Sequence, residues 1–341
     1  MNYVFCGAYK ALLFALYLKN VEGKKITILT NSKDITKYCE DEKIKCIKFD
    51  FIRPAATEIY KLIKLKKMLD DVIKKIDFKK EDSFFITERI IGFEQIYLAK
   101  TLAKKGKVYS KITHRDLKKH KPSGIKSFFI RGEILKIMVK LVLDLDLIYY
   151  ESNKDPRLGF DEEYLRKCNI KNYKPDEKSE DMILEAVKKT KSSYKEIDNL
   201  IVDQGPNKNL IELNSVKKLY EEIFNLSIDF ALKKHPFPIE EKNNDTISYY
   251  NTFEDCEELP EYVPSELFYN NTRQNVISLF SASLITASQF DHLKAISLLE
   301  LIDWRHKSYK KEFKKHLAEE SNNKILFPAS LEELKEILLN S

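Results

Sequence analysis

YVFCGAYKALLFALYLKNVEGKKITILT, residues 3–30, is the stretch on which the fold turns. It opens on a short apolar run, YVFC (3–6), continues through residues 8–20 with apolar side chains at three- and four-residue spacing, and closes on a second short run, KITILT (25–30). Short apolar runs of this length suit strands and the longer spaced stretch suits a helix, so the unit reads strand–helix–strand. Outward from it the alternation continues. FFIT (84–87), KVYS (107–110) and LIYYE (147–151) read as further strands, with helices over 57–77, 93–105 and 131–143 between them. Such alternation is the pattern of a parallel sheet covered by helices. The segment KNYKPDEKSED (171–181) is polar, contains a proline and marks the approach to a boundary, followed by a helix over 181–190.

A second series begins there. Its strands are expected near NLIVDQG (199–205), FALKKHP (230–236), TISYYN (246–251), NVISLF (275–280), KAISLLE (294–300) and KILFP (324–328). Helices are expected over 214–225, 307–319 and 330–339. The expectation is an α/β chain of two Rossmann-like, doubly wound domains, 1–190 and 191–341, with a cleft between them and ligands held at the carboxyl ends of strands. The length of 341 residues agrees, being too long for one ordinary core and right for two.

Composition narrows the function classes. Hydrophobic residues at 43% and charged residues at 33% are ordinary for a globular protein, and no segment approaches 18 uninterrupted apolar residues, which argues against an integral membrane protein. The opening lacks a basic region and a small-residue cleavage site, so it reads as a strand entering a helix rather than a signal peptide. Cys6, Cys39, Cys46, Cys168 and Cys256 are odd in number and scattered, which points away from a disulfide framework or zinc site and towards a reducing cytoplasm. No G-x-G-x-x-G and no G-x-x-x-x-G-K-[ST] occurs. Residues 1–200 carry 43 Lys and Arg against 30 Asp and Glu, a surplus of +13, whereas the remaining residues carry 16 against 23, or −7. The basic half is expected to face something anionic, be it nucleic acid, an acidic lipid surface or a phosphorylated glycan; solvated lysines of an AT-rich genome are the ordinary alternative. The sequence has no helix-turn-helix signature, no RNP motif and no basic run interleaved with aromatics, so nucleic acid is not the expected partner.

Four short motifs fall at the carboxyl ends of second-half strands or at the helix starts just after them. Asp203-Gln204-Gly205 closes a strand with a carboxylate that can serve as a general base and a glycine that permits close approach; it is equally a strand-to-turn signal. In Lys233-Lys234-His235-Pro236 the proline ends the strand and aims His235 at the cleft, where an imidazole can donate to a phosphate or carry a proton, although a lone histidine is often structural. Pro264-Ser265-Glu266 is an ordinary helix start, yet its carboxylate can grip the two hydroxyls of a ribose. Ser281-Ala282-Ser283 caps a helix, and the pair of hydroxyls with free helix N–H groups suits a phosphate.

The order D-x-G, K-x-H-P, P-x-E and a serine pair before a helix resembles the bacterial sialyltransferases, in particular the lipooligosaccharide sialyltransferase family and its polysialyltransferase relatives. The opening YVFCGAYKALLFALYL is similar to that family's start, and RLGFDEEYL (157–165) is a weaker match. The resemblance spans roughly residues 1–20 and 199–290. It implies a GT-B-type fold and an inverting, metal-independent transfer of sialic acid from CMP-sialic acid to a glycan or glycolipid acceptor. By the same resemblance Asp203 is the base that deprotonates the acceptor, with Gln204 standing where the family has a second acid. His235 holds the donor phosphate, Lys233 contacts the cytosine region and Glu266 grips the ribose, with Gly205 and Pro236 in the donor site; Ser281 and Ser283 match a phosphate-binding pair that is usually adjacent, so Ala282 between them leaves open which hydroxyl meets the phosphate. No cofactor or metal is then expected. The protein is expected in the cytoplasm, on the cytoplasmic face of the inner membrane if its acceptor is membrane-borne. Three rivals stand beside this reading: transfer of another CMP-nonulosonic acid, a metal-dependent UDP-sugar transferase through Asp144-Leu145-Asp146, and a noncatalytic protein binding RNA or anionic lipid.

Overall fold

The computed structural model describes residues 1–340 except 51, 53–57, 88–91, 111–126, 153–154, 161, 174–181, 192–193, 206–208, 227, 236–248 and 255, and leaves out the side chains of 127–131, 149–152, 155–159 and 162. The chain divides into two compact units, Met1–Met182 and Ile183–Ser341. That division falls at the start of the helix Met182–Lys189, which the sequence reading had assigned to the first domain.

In the first unit the strands are β1 (Asn2–Phe5), β2 (Ile26–Thr30), β3 (Cys46–Lys48), β4 (Ser83–Ile86), β5 (Lys107–Ser110), a hairpin of β6 (Ile148–Ser152) and β7 (Asp155–Gly159), and β8 (Lys171–Asn172). Six of them form one parallel sheet in the order β3-β2-β1-β4-β5-β8. The chain winds outward from β1 to β3, returns to lay β4 against the other side of β1, and winds outward again, which is the doubly wound Rossmann order. Helix α1 (Tyr9–Asn20) is buried nearly all round, because eight consecutive residues from Ala11 to Leu18 are apolar or aromatic and covered. Helix α2 (Lys33–Asp41) starts at Ser32, whose hydroxyl accepts from the Ile35 N–H at 3.3 Å. Helix α3 (Ile59–Ile76) buries Leu62, Leu65, Leu69, Val72, Ile73 and Ile76, one stripe at three- and four-residue spacing. Helices α4 (Phe93–Leu102), α5 (Ser127–Leu143) and α6 (Glu162–Lys167) complete the unit.

The second unit repeats the plan. Strands β9 (Ile197–Val202), β10 (Phe230–Lys233), β11 (Glu257–Glu258), β12 (Thr272–Ser278) and β13 (Lys294–Ser297) pair in parallel in the order β11-β10-β9-β12-β13. Leu200, Ile201, Leu232, Val276, Ile277 and Ile296 are fully buried at its centre, which explains why these strands read as unbroken apolar runs. Around it lie α7 (Met182–Lys189), α8 (Leu213–Phe224), α9 (Ser283–Ala287), α10 (Lys307–Glu320), α11 (Leu331–Leu339) and a 3₁₀ helix, Ser265–Asn271. The expected fold class, α/β with two Rossmann-like doubly wound sheets, is what these two strand orders display.

Several element readings need correction. LIYYE does not join the parallel sheet: β6 pairs antiparallel with β7, in register from Ile148 with Gly159 to Ser152 with Asp155. The sixth sheet strand is instead β8, inside the polar segment read as a boundary. In TISYYN, residues 246–248 lie outside the described residues, while Tyr249 and Tyr250 are helical and Asn251–Phe253 is a 3₁₀ turn. KILFP makes one isolated bridge, Leu326 with Ile296, and no strand. Among the described residues no helix is long and apolar enough to cross a membrane.

Candidate functional site

The sheet of the second unit reverses its winding between β9 and β12, and a reversal of this kind opens a crevice beyond the strands' carboxyl ends. Asp203 follows the last residue of β9. Its N–H still donates to the Lys233 carbonyl at 3.0 Å, so the ladder holds it one residue past the strand. Its side chain is 2% exposed, and each carboxylate oxygen accepts from a phenol: Oδ1 from Tyr249 Oη at 2.6 Å and Oδ2 from Tyr250 Oη at 2.9 Å. Burial, and next the Asp203 charge, hold both phenols well above their ordinary pKa, so they remain protonated donors at any physiological pH. Gly205, two residues on, has φ +68°, a left-handed conformation that strains any residue with a Cβ. Glycine here serves the turn.

Lys233 ends β10 almost completely buried, and its ammonium donates to the carbonyls of Lys234 at 2.8 Å and Glu261 at 3.1 Å. The second bond ties the end of β10 to the loop that carries Pro264-Ser265-Glu266. Lys234 turns the other way, ion-paired to Glu258 and 5.2 Å over the Tyr250 ring. His235 lies two residues past the end of β10 and is exposed. Its pKa is nonetheless lowered, first by the loss of solvent around the ring and also by the Lys233 charge, against an opposing pull from Asp203. The loss of solvent and the Lys233 charge both favour the neutral imidazole over the imidazolium. Pro236 lies outside the described residues.

Glu266 enters a 3₁₀ helix rather than the expected α-helix, and Pro264 occupies the position before its first residue. Ser265 Oγ donates to Glu266 Oε2 at 3.1 Å, leaving the carboxylate partly exposed. Three residues on, the buried Tyr269 hydroxyl donates to the Ser283 carbonyl at 3.0 Å, which joins this loop to the corner after β12. Burial, then the neighbouring Glu266 charge, keep that phenol protonated. At the corner, Ser281 Oγ accepts from the Ser283 N–H at 3.2 Å and from Ser283 Oγ at 2.8 Å. Ser281 thus caps the turn. The helix that follows is only five residues long.

Bond by bond, then, Asp203 connects to β10 through Lys233, Lys233 to the Glu266 loop through Glu261, and that loop to the serine pair through Tyr269. The sequence reading missed Tyr249 and Tyr250 because their β-branched, aromatic surroundings resemble a strand; two adjacent tyrosines in a segment following a strand-end acid were the only available signal. The Asp144-Leu145-Asp146 sequence lies in the other unit. Asp144 adopts φ +53° just past α5, where bonds from Lys100 and Lys140 pull its carboxyl down to about 2, and Asp146 also pairs with Lys140.

No protein-family model matches the chain, and no curated protein matches its sequence. Among solved structures it is similar to a provisionally assigned UDP-N-acetylglucosamine 2-epimerase from Listeria monocytogenes, at 13% identity and a TM-score of 0.48, over 100% of this chain and 88% of the other. It is also similar to the UDP-GlcNAc 2-epimerase from Neisseria meningitidis bound to UDP-GlcNAc, at 10% identity and 0.42, over 99% and 98%. A third likeness is to the E. coli heptosyltransferase WaaC with ADP-2-deoxy-2-fluoro heptose, at 10% and 0.42, over 87% and 88%. Likenesses this shallow carry no weight here; the fold assignment rests on the strand orders.

Proposed function

We propose that the protein is an inverting glycosyltransferase that moves sialic acid, or a related nonulosonic acid, from its CMP-activated form to a glycan or glycolipid. The second unit would bind the donor and the basic first unit the acceptor. One observation carries the reading: backbone and side-chain hydrogen bonds tie together the segments that bear Asp203, Lys233, Glu266 and the Ser281/Ser283 pair at the carboxyl ends of neighbouring parallel strands where the winding reverses, and His235 follows Lys233 by two residues. That is the place where doubly wound sheets hold nucleotides, and the groups match in kind what a charged nucleotide sugar needs.

In the proposed step the acceptor oxygen attacks the anomeric carbon as the bond from that carbon to the phosphate oxygen breaks. The acceptor proton passes to the Asp203 carboxylate, and CMP leaves with the electron pair. Asp203 reaches this role by exchanging the Tyr250 hydrogen bond for one from the acceptor hydroxyl. His235 and the Ser281 hydroxyl, which accepts two bonds and keeps its own proton, stabilise charge growing on the leaving phosphate. Lys233, fixed by carbonyls, supplies positive potential beneath it. Glu266 is assigned to the ribose, and no metal is assigned a part.

The test is hydrolysis and transfer with a panel of CMP-, UDP- and GDP-sugars, each with and without a chelator. Turnover of CMP-sialic acid or another CMP-nonulosonic acid, unchanged by chelator and reduced on the order of 10²–10⁴-fold in Asp203→Asn, is the expected result. Turnover restricted to UDP- or GDP-sugars, or abolished by chelator and restored by Mg²⁺, would overturn it in favour of the metal-dependent rival.

A further inference from the structure

We infer that the outward face of α3 in the first unit is a docking surface for an anionic lipid bilayer. It deepens the acceptor-side reading above, but its test is independent, since donor binding by the second unit neither needs nor reports lipid.

The argument begins with what α3 leaves in water. Opposite its buried stripe, Ile59, Tyr60 and Ile63 are 46%, 61% and 56% exposed, three large apolar side chains within the first five residues of the helix. Ordinary surfaces expose such residues singly; three together on one turn form a patch that costs solubility unless something covers it. The following turns of the same helix line a groove of about 460 Å³ with Lys64, Lys67 and Lys75, completed by Lys48 at the end of β3 and floored by Phe49 and Met68. Tyr60 lies three and four residues before Ile63 and Lys64, and Lys67 lies four and three residues after them, so the apolar patch runs directly into the lysines.

The charge state of those lysines selects the partner. None of the four is ion-paired to another described residue, whereas Lys61, Lys66 and Lys74 of the same helix are neutralised by Glu58, Asp70 and Asp71. The groove's own carboxylates are Asp50 and Asp71, two against four lysines, and Asp71 is already shared with Lys74. A surface with an apolar wedge beside unneutralised ammonium groups on extended stems matches the boundary of a bilayer, where acyl chains take the wedge and phosphates the lysines. Helix α5 provides the contrast. It also exposes Ile134, Ile137 and Leu141, but its lysines Lys136 and Lys140 are paired with Glu133 and with Asp144 and Asp146. Among its described side chains, that stripe has apolar area without surplus charge.

The experiment is co-sedimentation of the full chain with vesicles of equimolar phosphatidylglycerol and phosphatidylcholine, against vesicles of phosphatidylcholine alone, at near-physiological salt. The chain is expected to bind the anionic vesicles selectively and to be released as salt is raised. Each lysine near a bilayer contributes about fivefold to partitioning, so Lys64→Gln/Lys67→Gln should lower binding about 25-fold. Tyr60→Ser/Ile63→Gln should weaken it at every salt concentration, and Ile137→Gln/Leu141→Gln on α5 should leave it unchanged. Circular dichroism and thermal melting establish that each variant is folded; both lysines are exposed, so that pair is expected to fold normally. Equal binding to both vesicles, wild-type binding by the lysine variant, or loss confined to the α5 variant would each overturn the inference. So would release by millimolar inorganic phosphate at constant ionic strength, which would make the groove a site for a soluble phosphate.

Discussion

Asp203 is held in a way that no strand-end motif announces. Both of its oxygens are taken by phenols, one from the fully buried Tyr249 and one from the partly exposed Tyr250. The two bonds should differ in worth. Tyr249→Phe removes a buried hydrogen bond to a carboxylate and should lower unfolding free energy by about 1.5–3 kcal/mol, whereas water can replace the hydroxyl lost in Tyr250→Phe. Denaturant unfolding of the two variants checks this; equal losses would mean that Tyr250 is no more open to solvent than its neighbour. His235 yields a pH dependence. Its folded-state pKa is lowered below the ordinary 6.5, so between those two values the unfolded chain binds a proton that the folded chain refuses. Stability from this group is complete above pH 6.5 and declines as pH falls towards the lowered value. A bound phosphate reverses the sign by favouring the imidazolium. CMP binding should therefore be accompanied by proton uptake at His235, and His235→Gln should reduce that uptake, as read by titration calorimetry in buffers of different ionisation enthalpy. At this scale the sequence disclosed which residues stand at strand ends. It did not disclose that Lys233 is buried against carbonyls or that Asp203 is closed over, because both depend on partners 28 to 47 residues away.

At the scale of elements, legibility followed length and apolarity. β1, β2, β4, β5, β9 and β10 are short runs buried in sheet interiors, and each was read within a residue or two at its start. β3, β8 and β11 escaped. They are two or three residues long, lie towards sheet edges, and carry exposed side chains such as Lys171, Asn172, Glu257 and Glu258, so neither alternation nor hydrophobic density marks them. TISYYN failed for the opposite reason: its composition favours a strand, while the helical turn is fixed by Tyr249 and Phe253 packing into the aromatic cluster with Tyr220 and Phe224. The turn after β9 offers a direct test. Gly205→Ala forces a Cβ into φ +68° and should cost about 1–2 kcal/mol in denaturant unfolding. No loss would mean that the turn relaxes to an ordinary conformation.

For the whole molecule, two doubly wound sheets were legible because each half repeats the same alternation, and the charge division of +13 against −7 follows the two units closely. The boundary falls eight residues before the expected one because the helix over 181–190 was kept with the first domain, whereas all of α7 but Met182 clusters with the second. The site is likewise a property of the whole second unit, since its groups arrive from β9, β10, the 3₁₀ helix and the corner after β12. The central claim is that these groups hold one CMP. Calorimetric titration of CMP into the full chain and into Glu266→Ala tests it most directly, because ribose contacts are made in the ground state and appear in affinity. The account predicts saturable one-to-one binding of CMP and a loss of about tenfold to a hundredfold in the variant, the worth of roughly 1.5–3 kcal/mol for a charged hydrogen-bonding pair. Absence of CMP binding by the wild-type chain, or equal affinity in a folded Glu266→Ala variant, would contradict it.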